Sequence, residues 1–99
     1  MKDLLRKFNR TFENRSRLAI MSVLMVNDGI EFTALKRQLN MTDGNLATHI
    51  ASLEREKYVS VRKEFVKRKP QTTYAATAAG RKAFAEHLNA LEEFIRTMT

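Results

Sequence analysis

Cysteine is absent from the 99 residues, which removes disulfide bridges, thiol redox sensing and thiolate metal sites together and implies no oxidising compartment. Proline occurs once and glycine three times, without repeats or low-complexity tracts, so the chain reads as compact and ordered. No stretch approaches the ~18 apolar residues of a membrane-spanning helix, and the amino end lacks the apolar segment of a secretory signal. The expectation is a cytoplasmic protein that stays off the membrane. The length suits one domain, residues 1–99, with a single modest core and no added catalytic or sensor unit. A nucleophile beside an obvious base and a phosphate-cradling glycine loop are both missing. The two histidines, His49 and His87, lie on different expected helices with no i, i+4 companion, which falls short of any metal-ligand spacing. Enzyme chemistry, a resident metal and a cofactor are therefore not expected.

What the chain does have is positive charge. Eighteen Lys and Arg face 11 Asp and Glu, a net of +7 with a pI near 10.2, a balance that favours a polyanionic partner through counterion release. The excess is uneven. Residues 1–17 carry Lys2, Arg6, Lys7, Arg10, Arg15 and Arg17 against Asp3 and Glu13, whereas in residues 80–99 Arg81, Lys82 and Arg96 are balanced by Glu86, Glu92 and Glu93. The carboxyl end is not a basic arm.

Residues 42–61, TDGNLATHIASLEREKYVSV, carry the strongest pattern. Thr42 can cap a helix and Asp43 places negative charge at its positive end. Leu46, Ile50 and Leu53 recur at intervals of four and three and so face a core. At 100° per residue the opposite face presents Gly44, Thr48, Ser52 and Arg55, with Asn45 alongside. Short, mostly uncharged polar side chains suit a surface that lies against base edges; a small-residue surface without that role is the plainer reading. Beyond the helix, Tyr58–Val61 and Glu64–Val66 are strand-like. Arg62, Lys63, Lys67, Arg68 and Lys69 gather against Glu64 where the strand turns back, Pro70 marks a turn or edge, and Gln71–Ala76 is the return strand. Alone, such lysines also serve as a solvated edge that resists aggregation.

Upstream, Asn14 can cap a core helix over residues 15–27 that contains Leu18, Ile20, Met21, Leu24 and Met25, with Asp28-Gly29 as its stop. Ile30-Glu31-Phe32 reads as one short strand added to the hairpin sheet. Thr33 is the expected cap of a two-turn helix ending near Asn40, two residues before Thr42. A short helix, a tight turn and a longer helix over residues 33–56 make a helix-turn-helix, in which Lys36 and Arg37 sit where phosphates pass and position rather than specify. With the hairpin over 58–76 the fold class is α+β, mostly helical: a winged helix-turn-helix with a two- to three-stranded wing sheet and long terminal helices.

Those terminal helices are expected over 1–13 and 77–98. Phe84, Leu88, Leu91, Ile95 and Met98 follow a 4-3-4-3 spacing, the pattern of a helix pairing with another helix, and Phe94 and Ala90 widen the stripe. Leu4, Leu5, Phe8 and Phe12 supply a second apolar face. Two arrangements are open: a homodimer built on these faces, or terminal helices packed on each other inside one monomer. His49, at the edge of the recognition stripe, reads as packed or phosphate-facing, and His87 as an interface residue with no partner nameable from sequence.

Three local matches, Asn14–Ile20 (NRSRLAI), Thr42–Leu53 and Pro70–Arg81 (PQTTYAATAAGR), in this order and spacing, make residues 14–96 similar to small single-domain winged-helix transcriptional regulators of the MarR-like and ArsR-like kind. The resemblance implies that Thr42, Gly44, Asn45, Thr48, His49 and Ser52 meet the major groove. Lys67, Arg68 and Lys69 then lie in the wing along the backbone or minor groove, with Arg15 and Arg17 near phosphate. The family's Leu-Thr-Pro-x-Gly-Arg after the wing appears here as Ala76-Thr77-Ala78-Ala79-Gly80-Arg81, which keeps Thr, Gly and Arg. Metal sensing of the ArsR type is not implied without cysteine, and whether the chain keeps the small-molecule effector cleft of larger MarR-type proteins stays open. The function expected is sequence-specific binding of double-stranded DNA as a homodimer on a palindromic operator. The alternatives are an accessory or protein-interaction subunit of a nucleic-acid complex with weak non-specific DNA binding, and, last, a basic amphipathic membrane binder over residues 1–12.

Overall fold

The computed structural model describes residues 2–98. The elements are α1 (Lys2–Arg6), a 3₁₀ turn (Arg10–Phe12), α2 (Arg15–Met25), β1 (Ile30–Glu31), α3 (Phe32–Leu39), α4 (Asp43–Arg55), β2 (Val59–Val66), β3 (Lys69–Ala76) and α5 (Ala78–Met98). The strands form one antiparallel sheet in the order β1-β3-β2. Ile30 pairs with Tyr74 and Glu31 with Thr73, so the expected short strand does join the hairpin sheet. Helix α2 is capped as its sequence suggests, Asn14 Oδ1 accepting from the Ser16 and Arg17 N–H groups at 3.0 Å each.

Helix α3 begins two residues earlier than expected, at Phe32 instead of Ala34. Glu31, held in β1, is its N-cap and makes no side-chain capping bond, while the Thr33 hydroxyl donates to Glu31 Oε1 instead of capping. Both helices of the helix-turn-helix end in the same way. Asn40 (φ 52°) closes α3 with Asn40 N–H on the Arg37 carbonyl and Met41 N–H on that of Lys36. Lys57 (φ 64°) closes α4 with Lys57 N–H on the Glu54 carbonyl and Tyr58 N–H on that of Leu53. These paired bonds are Schellman closures, which commonly use glycine at the left-handed position; here Asn and Lys occupy it.

The core is one cluster in which Ile20, Met21, Leu24, Leu35, Leu46 and Leu53 are fully buried and Ile50, Phe12, Phe84 and Val59 nearly so. Each such side chain contributes roughly 1.5–3 kcal/mol relative to exposure. The joint between the last helix and the rest is backbone-tight. The Thr77 hydroxyl donates to the Lys57 carbonyl and accepts from the Gly80 N–H, at 2.7 and 2.9 Å. A Cβ on Gly80 would stand 2.1 Å from the Tyr58 carbonyl oxygen, so only glycine lets α5 come this close. Arg81 then reaches back across the molecule to donate to the carbonyls of Leu24, Met25 and Asn27, satisfying the open end of α2.

Two expectations for the termini are corrected. The helix expected over 1–13 is broken into α1 and the 3₁₀ turn, because Asn9 is held from three sides: its N–H donates to His87 Nδ1 (2.9 Å), its amide to the Tyr58 hydroxyl (3.1 Å), and its Oδ1 accepts from Thr11 N–H. These bonds to other elements win over continuing the helix. The seam of α5 is also displaced. Its buried line runs through Gly80, Phe84, His87 and Ala90, since the rings of Phe8 and Phe12 pack on that side against His87, Phe84 and Phe94. Leu4, Phe12 and Phe84 are thus spent inside the monomer. Leu5, Leu88, Ile95 and Met98 stay exposed, while Phe8, Leu91 and Phe94 are half-buried.

Candidate nucleic-acid interface

Helix α4 is anchored by Leu46, Ile50 and Leu53, which are at most 2% exposed. That anchoring fixes what faces outward. Thr42, Gly44, Asn45, Thr48 and Arg55 are exposed, and His49 and Ser52 are half-buried along one flank. Thr42 is the cap, its hydroxyl oxygen accepting from Asn45 N–H at 3.2 Å. A Cβ on Gly44 would meet nothing within 4 Å, so this glycine answers no steric need of the fold. Glycine in a first helical turn lowers helix stability relative to alanine, and its use here leaves the backbone bare toward whatever approaches.

Farther along the helix the polar groups are already joined. The Arg55 guanidinium donates to Ser52 Oγ (3.0 Å), and Ser52 donates to the Thr48 carbonyl (3.3 Å). On the flank, Arg17 is steadied by the Thr11 carbonyl (Nε, 2.7 Å), and its Nη1 lies 3.4 Å from His49 Nδ1. Arginine can only donate, so that histidine nitrogen must be the acceptor. Arg17 and Arg55 border a shallow cavity of about 200 Å³ with Thr11, Ser52 and Glu56, a seat of suitable size and sign for a phosphate group.

The remaining expected contacts divide. Arg15 and Arg37 are exposed. Lys36, by contrast, is tied to Asp43 Oδ1 at 2.8 Å across the turn between α3 and α4, which offsets the carboxylate at the start of α4 instead of leaving a spare cation. In the wing, Val59 and Val61 lie against the body with Ser60 facing out between them, while 62–70 are all exposed, so roughly 15 Å of ribbon projects at about 3.3 Å per residue. The tip is a two-residue loop, Lys67-Arg68, with φ of 52° and 66°. Hairpins favour such mirror-image turns because they match strand twist, though Asn-Gly is the usual signature. Of the turn and edge positions open to Pro70 it takes the edge: it lies inside β3 opposite Phe65, beyond the residues that β1 pairs. Among the described residues the side chains of Lys67, Arg68 and Lys69 make no ion pair; Arg62 and Glu64 form one at 3.6 Å.

Sequence reasoning missed the role of Arg81 and misplaced His87, which was expected at an interface and is buried inside the monomer. Arg81 closes α2, as described. His87 is 3% exposed, ringed by Phe8 and Phe12, and has the Asn9 N–H as its partner; its pKa lies below the ordinary histidine value because burial penalises the cation, with the Glu13 carboxylate opposing. Only the contact across 78 residues could have revealed it.

No helix among the described residues is long and apolar enough to cross a membrane. A family model of winged helix DNA-binding domains matches residues 16–95. A protein of Methanocaldococcus jannaschii, itself uncharacterised, is 34% identical over 79 residues, 80% of this chain and 86% of its own. The solved transcriptional regulator homologue protein from Pyrococcus horikoshii OT3 superposes with a TM-score of 0.87 at 29% identity, covering 98% of this chain and 94% of that one. The S. aureus MepR–DNA complex superposes at 0.75 with 16% identity over 98% and 82% of the two chains, a likeness of fold.

Proposed function

Because the chain belongs to the family of winged-helix DNA-binding domains, we propose that it is a transcriptional regulator that binds double-stranded DNA as a homodimer and reads a palindromic operator with α4 of each protomer. The observation that carries this reading is the outer face of α4: a rigidly seated helix whose cap, first turn and next turn present Thr42, bare Gly44, Asn45 and Thr48 to solvent. Such a face is the right size and polarity for the major groove. Arg15, Arg17 and Arg37, with Lys67, Arg68 and Lys69 of the wing, flank it as contacts to phosphate, while Lys36 keeps Asp43 from repelling the backbone. A two-fold pairing through Leu5, Leu88, Ile95 and Met98, with Phe8, Leu91 and Phe94 at its margin, would present two copies of α4. Half-sites one turn apart would then lie about 34 Å from each other.

The test is fluorescence anisotropy against a randomised duplex pool and its selected fraction, titrated with salt. Enrichment of a palindrome with half-sites about one turn apart is the expected result. Asn45→Ala or Thr48→Ala should then relax base preference, and Arg68→Ala should weaken all sequences alike and reduce the salt slope by about one unit. Steeply salt-dependent binding with no enrichment would replace this reading with that of an accessory subunit holding nucleic acid without selecting it.

A further inference from the structure

Phe65 is 78% exposed, and every other aromatic side chain among the described residues is at least half-buried. It belongs to the projecting half of the ribbon, one residue pair below the Lys67-Arg68 loop, directly opposite Pro70. With a two-residue loop, Val66–Lys69 is the hydrogen-bonded pair and Phe65–Pro70 the next, non-hydrogen-bonded pair, in which side chains stand closer. Proline, which has no N–H, costs nothing there. The result is a stiff apolar edge: a ring beside a pyrrolidine, next to a tight turn. Alternation places Lys63 on the same face of the ribbon, and Lys67, Arg68 and Lys69 follow at the tip. Glu64, the one carboxylate in residues 62–70, belongs to the other face and is paired with Arg62. An apolar ring encircled by cations is poorly matched to a protein surface of ordinary composition and well matched to a groove walled by phosphates.

We propose that Phe65 is a wedge for the minor groove: with the wing cations on the two flanking backbones, the ring enters between them and partly unstacks a flexible pyrimidine–purine step, bending the duplex around the protein. Apolar side chains inserted in this way kink DNA toward the major groove, and TA and CA steps yield most easily. This assignment rests on the DNA-binding reading above and adds to it a preference at base steps that α4 never touches.

The experiment uses the full chain with the duplex enriched from the pool and with a mixed-sequence duplex of about 30 base pairs, each carrying 2-aminopurine beside a TA step in the region flanking the half-site. Binding of the wild-type protein should raise the 2-aminopurine fluorescence as stacking is lost. Phe65→Ala should abolish the rise and weaken binding about ten-fold. Its salt slope should be unchanged, because a ring releases no counterions. Phe65→Leu should retain part of both effects. The ring is 78% exposed and takes no part in the core, so the Ala variant should melt within a few degrees of the wild type. Tight wild-type binding with no fluorescence rise and no loss in the Ala variant overturns the wedge and leaves the DNA reading standing. Failure of the wild type to bind either duplex overturns both. A Phe65→Ala protein with altered sedimentation but unaltered DNA affinity assigns the ring to a protein contact and likewise overturns the wedge.

Discussion

Helices α4 and α5 both carry an apolar stripe, yet α4 keeps its stripe wholly indoors while α5 leaves much of its own outside. Leu46, Ile50 and Leu53 are at most 2% exposed, so the position of α4 is settled by the monomer and its polar face is held out as a fixed template. On α5, Phe84, His87 and Ala90 are buried, but Leu88, Ile95 and Met98 are 42%, 63% and 63% exposed. Apolar side chains left outside along one helix are the kind of surface from which a protein contact can be built. The contrast divides one small chain in two: the proposed reading helix has its geometry fixed by the monomer, and the proposed pairing helix keeps apolar surface outside it.

The hardest way to break that contrast is at the joint between the two helices. Gly80→Ala would force a methyl group into the Tyr58 backbone and should cost about 3 kcal/mol or more, lowering Tm by ~15 °C; thermal melting decides, and a Tm within a few degrees of wild type would show that the joint gives way. Next comes the exposed face itself. Leu88→Glu leaves the monomer intact but puts a charge on the exposed seam, and should weaken self-association by about a hundred-fold. Sedimentation equilibrium reads this, and an unchanged dimer would move the interface elsewhere.

The third test asks whether the buried side of α5 is as settled as that of α4. His87 has its pKa lowered in the folded state, chiefly by burial, so below about pH 6.5 the unfolded chain takes up a proton that the native chain refuses. Stability is then complete above that pH and declines as pH falls toward the native-state value. Urea midpoints should fall between about pH 7.5 and about pH 5.5 in wild type and much less in His87→Gln; equal slopes in the two proteins would exclude the histidine as the source. The smallest effect should come from Gly44→Ala. With open space around it, alanine should stabilise α4 by about 0.5 kcal/mol while weakening DNA binding, since a methyl group now stands where the duplex approaches. Gains in both stability and affinity would mean that the bare backbone is not a contact.

Much of this architecture could be read in the chain, and the gaps share one cause. The caps at Asn14 and Thr42, the span of α4, the hairpin and its third strand follow from local pattern, and the structure has them. What escaped was decided at long range. The one local exception is the hairpin loop: Pro70 took the edge position open to it, and the turn fell on Lys67-Arg68, where neither Gly nor Asn advertises a positive φ. The N-terminal helix broke at Asn9 because His87 and Tyr58, 78 and 49 residues away, claim its polar groups. The α5 seam moved for the same reason, drawn toward Phe8 and Phe12. On the candidate interface, the outward face of α4 was legible from periodicity alone, whereas the Lys36–Asp43 tie required knowing how the turn between α3 and α4 folds.

The bond set around Thr77 and Gly80 has a mechanical meaning. It fastens the first turn of α5 to the last residues after α4, and a helix of 21 residues is a rigid rod about 30 Å long. Gly80 is therefore the clamped end of that rod, against Tyr58, and the exposed apolar tip is its free end. A displacement of about 3 Å at the far end corresponds to a tilt of only about six degrees at the pivot, so a shift at Ile95 and Met98 reaches the Thr77–Lys57 joint as a small rotation while α4 stays seated on Leu46, Ile50 and Leu53.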